Sequence, residues 1–202
     1  MYNWRKMTDA QRAEVLRLRK QLQQPWHSPP HWTSDRTNRY HITAACYEHK
    51  PVIGASPLRM QAFACNLLST LGSHTSSIHA WAVLPNHYHA LVTTTEVQAL
   101  LGSLGRLHGR TSFEWNGKDQ CRGRQVWCQA AETAMKSNGH FWATMNYVHH
   151  NPVHHCYSSK WQEWPFSSAA DYLKTVGARR AEQIWIECPI LDYGKVWDPA
   201  EL

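Results

Sequence analysis

The sequence predicts an α+β fold: a ferredoxin-like split βαβ core with an antiparallel sheet, followed by a C-terminal helix. Two observations lead there. Strand-forming and helix-forming stretches follow one another as β-α-β-β-α-β and then a helix. The second and third strands are joined by Pro85-Asn86, a tight turn that makes them a hairpin. With 202 residues, 43% of them hydrophobic, the chain suits one domain with extensions and buries a core without needing a staple.

Each element has its own signal. Thr8 and Gln11 fit a capping box, and Val15, Leu16, Leu18 and Leu22 follow, so an N-terminal helix is expected. Pro25, Pro29 and Pro30 end it in a linker over 25–34. "NRYHITAACYE" is rich in strand formers and gives the first strand. Ser56 caps the next helix, Pro57 takes its first position and Gly72 closes it. "SIHAWAVL" and "HYHALVTT" are the hairpin strands. Leu100, Leu101, Leu104 and Leu107 recur at helical spacing. "RQVWCQAA" is read as the fourth strand, and "HFWATMNYVHHN" as a helix stopped by Pro152, because a residue before proline avoids the α region.

Composition narrows the function. No apolar run approaches a membrane span and no signal-peptide core opens the chain, so a cytoplasmic, nucleoid-associated protein without a membrane partner is expected. Six scattered cysteines without a CxxC read as free thiols. A net charge of +6 and a pI near 9.1 suit a polyanionic partner. Two segments concentrate the excess: residues 1–24, and residues 97–126 with Arg106, Arg110, Lys118, Arg122 and Arg124. Eleven tryptophans are anchors of core and rim, and some could stack on unpaired bases.

"LPNHYHALV" carries the chemistry. Side chains two apart on a strand share a face, so His87 and His89 aim together, about 6–7 Å apart at Cα. Two such imidazoles can share a metal ion; a pair of surface histidines is the plainer reading. On the following helix Tyr147 and Asn151, at i and i+4, lie on one face. Asn151 offers a carbonyl oxygen suited to Mg²⁺ or Mn²⁺, and Tyr147 a phenol that becomes a nucleophile when deprotonated. A core tyrosine and a helix cap explain the same pair. His149, His150, His154 and His155 surround them without assigned roles.

"LPNHYHALV", then "YVHHNPVHH" and "WPFSSAADYL", together resemble the REP-associated tyrosine transposases of the HUH endonuclease superfamily. The resemblance covers roughly residues 32–173. It implies an HUH transposase/nuclease domain over 35–173, which leaves the N-terminal helix and linker over 1–34 and an extension over 174–202 outside it. It implies Tyr147 as nucleophile and His87, His89 and Asn151 as ligands of a divalent Mg²⁺ or Mn²⁺. Single-stranded or hairpin DNA would be the partner, held by Arg106, Arg110, Lys118, Arg122 and Arg124 and cleaved through a 5′-phosphotyrosine intermediate by a monomer or homodimer. A solvated helix face is the alternative for those five cations. Where several family members carry a glycine after Asn-Pro-Val, this chain has Cys156 in "HHC". Two rival functions stay open. One is an inactive DNA hairpin-binding protein of the same fold. The other is a metal-dependent hydrolase, disfavoured by the want of a carboxylate beside the histidine pair.

Overall fold

The structure is a computed structural model that describes residues 8–21, 38–191, 193 and 198. The expected linker over 25–34 lies outside the described residues. The first helix, α1 (Asp9–Gln21), opens on the capping box: the Thr8 amide donates to Gln11 Oε1 at 2.9 Å and the Gln11 amide to Thr8 Oγ1 at 3.3 Å. The core then runs β1 (Arg39–Ala45), α2 (Pro57–Gly72), β2 (Ser77–Val83), β3 (His87–Thr93), α3 (Val97–Lys118), β4 (Ala131–Ala134) and α4 (Asn138–His154). Two further helices follow, α5 (Ala169–Val176) and α6 (Ala178–Glu187).

The sheet order is β2-β3-β1-β4 and every pairing is antiparallel. Two β-α-β units therefore interleave, each straddling a strand of the other, which is the ferredoxin-like arrangement. β3 is buried along nearly its whole length. Its alternation sends Tyr88, Ala90 and Val92 into one core with Phe63 and Leu67 of α2 and Leu100, Leu104 and Leu107 of α3. Leu91 points to the opposite face, into a second core with Met145, Tyr147 and Val148 of α4. The sheet thus has α2 and α3 on one side and α4 on the other, and His87 and His89 share the α4 side by strand period.

The start of β3 is tightly fixed. The Cys46 amide donates to Asn86 O at 2.7 Å and the Gly54 amide to Pro85 O at 2.9 Å. A Cβ on Gly54 would stand 2.4 Å from Pro85 Cβ, so only glycine lets the 53–55 turn approach this closely.

Two elements differ from the sequence reading. The fourth strand is Ala131–Ala134 and not 124–131. Trp127 still pairs with Cys46, but as an isolated bridge one residue out of register with the β4 ladder, so a bulge separates them. Val126 and Trp127 have the strand-forming side chains because they are buried in the core; the ladder itself falls on plain "AETA". Nor does Pro152 stop α4, which continues to His154. Proline there has no N–H for the Val148 carbonyl, but α4 continues for only two residues beyond it. The helix ends in a Schellman motif: Tyr157 N–H donates to Pro152 O at 2.8 Å and Cys156 N–H to Val153 O at 3.0 Å. Cys156 holds φ at 58°, the left-handed position that usually takes glycine. All six cysteines are free. Among the described residues no helix is long and apolar enough to cross a membrane.

Candidate active site

The hairpin turn and the β3 pleat set His87 and His89 on the floor of the site, 2% and 1% exposed. Each ring is pinned through Nδ1. His87 Nδ1 meets Asn86 Oδ1 at 2.7 Å, and His89 Nδ1 meets His41 Nε2 at 3.1 Å. His41, on neighbouring β1, is in turn 3.1 Å from the Tyr193 hydroxyl through its own Nδ1. Partners on Nδ1 hold the rings so that both Nε2 atoms face inward, the arrangement seen in metal-ligating histidines. Burial holds both imidazoles neutral; His87 is pushed down to about 3 by burial and the adjacent His89.

α4 supplies the facing wall. Tyr147 and Asn151, one turn apart, both point at the histidine pair. The Tyr147 hydroxyl is 3.2 Å from His89 Nε2, and Asn151 Oδ1 is 2.9 Å from His87 Nε2. The four residues read from the sequence as nucleophile and ligands are therefore assembled in one buried cluster. Tyr88 lies across the sheet, its hydroxyl 3.1 Å from His108 Nε2, and so takes no part.

Three members were not assigned from sequence. Asp198, 2% exposed, brings a carboxylate between the histidines and the tyrosine. It accepts from the Tyr147 hydroxyl, from Asn151 Nδ2 at 2.7 Å and from His155 Nε2 at 3.0 Å. Burial opposes its ionisation, but hydrogen bonding from His155 and the nearby His89 wins and holds its pKa well below the carboxylate range. The expected want of a carboxylate beside the histidine pair is thus corrected. His155 and His41 complete the group. A lone Asp far along the chain, in no motif, gives no sequence signal, whereas His155 stood in a histidine cluster left without assigned roles.

Donors of His87, His155 and Asp198 all lie within 4.8 Å of one another. Two ligands of an octahedral Mg²⁺ or Mn²⁺, each at about 2.1 Å, stand about 3 Å apart, which is the separation of His87 Nε2 and Asn151 Oδ1. Neutral imidazole, amide oxygen and carboxylate are also the donor types such ions take. The residues present fit a divalent cation.

The basic residues lie elsewhere. Arg106 and Arg110 are exposed on α3, across the sheet from this cluster. Lys118 pairs with Glu114 at 2.7 Å. Arg122 donates to Phe113 O at 2.8 Å and stands over that ring. Arg124 binds Asp119 at 2.6 Å and Asn116 Oδ1 at 2.9 Å. None touches the histidine-tyrosine cluster.

No protein-family model matches the sequence, and no curated protein matches it. Among solved structures, one of a REP-associated tyrosine transposase bound to a REP hairpin superposes with a TM-score of 0.57. The chain has the fold of that transposase. The match covers 73% of this chain and 86% of the transposase, at 16% identity. At that identity the likeness speaks for the architecture; the transposase itself is the protein bound to the hairpin.

Proposed function

We propose that this chain is a REP-associated tyrosine transposase, a metal-dependent enzyme that cleaves and rejoins single-stranded DNA at hairpin-flanked sites. The observation that carries the reading is the Tyr147 hydroxyl, set between His89 Nε2 and the Asp198 carboxylate. The transposase fold and the paired histidines support it.

A divalent cation held by His87, His89 and Asn151, with Asp198 and His155 beside them, would polarise the scissile phosphate and offset its growing charge. The chain's own residues do the rest. Tyr147 Oη forms a bond to phosphorus as the P–O3′ bond breaks, giving a 5′-phosphotyrosine and a 3′ oxygen that takes a proton from solvent to become a free 3′-OH. The phenolic proton passes to the Asp198 carboxylate, which already accepts it as a hydrogen bond. The phosphotyrosine conserves the energy needed to rejoin a strand. Asn86 and His41 keep the two imidazoles oriented. Arg106 and Arg110, behind the sheet, would hold duplex or flanking backbone and not the scissile phosphate.

Asp198 also favours a second reading, a metal hydrolase in which that carboxylate activates water. Tyr147→Phe separates the two. Covalent chemistry loses all cleavage and keeps DNA and metal binding; hydrolysis keeps turnover. Peptide mapping of a denaturation-resistant adduct should find the phosphonucleotide on Tyr147. An adduct on another residue, or active enzyme with none, overturns the proposal.

A further inference from the structure

We infer that the cavity on the outer side of α4 is a binding pocket for one unpaired nucleobase of the DNA strand; the inference rests on the single-strand reading above. The cavity is about 490 Å³ and is walled by α4, the 161–163 turn, α5 and α6. That size is in the range of small-ligand sites.

Its walls are aromatic. Trp161 lies nearly parallel to the buried His149 ring, with centroids 6.1 Å apart, and Tyr172 packs 4.8 Å from His149. Trp185 closes the opposite side, 5.1 Å from His150, and keeps 38% exposure. Flat faces at two sides suit a flat ligand. The His149 Nε2 is occupied by Ser168 Oγ at 2.9 Å, so what His149 offers is the face of its ring.

The polar atoms specify the ligand further. Tyr172 Oη and His150 Nδ1 are buried at this wall and have no hydrogen-bond partner among the described residues. Such groups cost free energy until something bonds them. Among the described residues no lysine or arginine lines the cavity, and its acid is Glu182. A phosphate is therefore refused, while the amino and imino edge of a base finds acceptors. Cations lie outside, where a strand's phosphate would run: Arg180 on α6 is exposed, 3.8 Å from Glu187. Base inside and phosphate outside is the pattern of single-strand binding.

Position ties the pocket to the reaction. Asn146 and His150 line it, and they adjoin Tyr147 and Asn151 on the same helix. A strand whose phosphate reaches Tyr147 could seat a neighbouring base behind α4, so the pocket would set which phosphate is cut.

The test uses the full chain and a short single-stranded DNA of mixed sequence, with 5-iodouracil placed at successive positions. Irradiation should cross-link one position to a peptide containing Trp185, Trp161 or Tyr172. Trp185→Ala, a change at a partly exposed side chain, should weaken binding by about 5- to 150-fold, the worth of one stacked base. Tyr172→Phe should weaken it less while keeping the ring. An abasic sugar at the cross-linking position should remove the difference between wild type and Trp185→Ala. Cross-links elsewhere with equal affinity of the two proteins would overturn the pocket and leave the tyrosine mechanism standing. Binding of free dAMP or dGMP in the cavity without effect on strand affinity would also overturn it. Wild-type protein that binds no single strand would overturn both readings.

Discussion

The Tyr147 hydroxyl donates to the carboxylate of Asp198, so the candidate nucleophile and the acceptor for its proton are already joined in the resting protein. Asp198→Asn keeps the shape and removes the charge. Cleavage should fall by about 10²-fold or more, the usual worth of a general base. Single-turnover rates on a hairpin-flanked strand would show it. A rate within a few-fold of wild type would mean that the proton leaves by another route.

The metal site can be resolved ligand by ligand with Mn²⁺ titration. His87 Nε2 is close to donors of Asn151, His155 and Asp198, so His87→Ala should abolish binding. Loss of a neutral amide in Asn151→Ala should cost less. Asn86→Ala removes the partner of His87 Nδ1, along with a 3.3 Å bond to the His49 carbonyl, and should weaken binding about 10- to 100-fold. Unchanged affinity in His87→Ala would remove the site.

Reversing the charge of Arg106 and Arg110 should flatten the salt dependence of DNA binding, by a slope of about 0.7 for each single-strand phosphate that is no longer neutralised. Cleavage at saturating DNA should hold, because both residues lie across the sheet from Tyr147. An unaltered slope returns α3 to a solvated face.

Cys156 occupies a left-handed position at 58° in φ. That conformation costs a residue with a Cβ about 1–2 kcal/mol, a gain for glycine that its greater chain entropy partly offsets. Cys156→Gly should therefore stabilise the fold by roughly 0.5–1 kcal/mol in urea denaturation. A destabilised variant would show that the thiol packs in a way that outweighs the strain.

Asp119 joins α2 to the end of α3, accepting from Arg59 at 2.5 and 3.0 Å and from Arg124 at 2.6 Å. The Arg59 hydrogen bond, ahead of opposing desolvation and with help from Arg124, lowers its pKa from 3.8 to about 2. A depressed carboxylate stabilises above its unfolded pKa and loses that contribution as pH falls through the folded one. Asp119→Asn should cost roughly 1–2 kcal/mol at pH 6, discounted for partial exposure. The difference should shrink below pH about 4 and be nearly gone near pH 2. A pH-independent difference would assign the effect to packing.

Most of the architecture was legible because local rules and tertiary structure agree. The Ser56-Pro57 start, the Pro85-Asn86 turn and the leucine spacing of α3 each carry enough information alone. So does the site's first half: strand period puts His87 with His89, and helix period puts Tyr147 with Asn151. The misses share a cause. β4 is an edge strand whose residues are held by pairing to β1 and not by β propensity. Pro152 is tolerated only because α4 is about to end. Asp198 comes 51 residues after Tyr147 and 47 after Asn151, and no periodicity spans such separations.

Those separations also order events during synthesis. Translation makes His41 first, then the β3 pair, then Tyr147, and Asp198 after all of them. Domains fold from the N-terminus as they emerge. A nascent chain can thus form the sheet and dock α4 while the phenol still has no carboxylate to take its proton. The candidate site therefore stays without its carboxylate until Asp198 has left the ribosome.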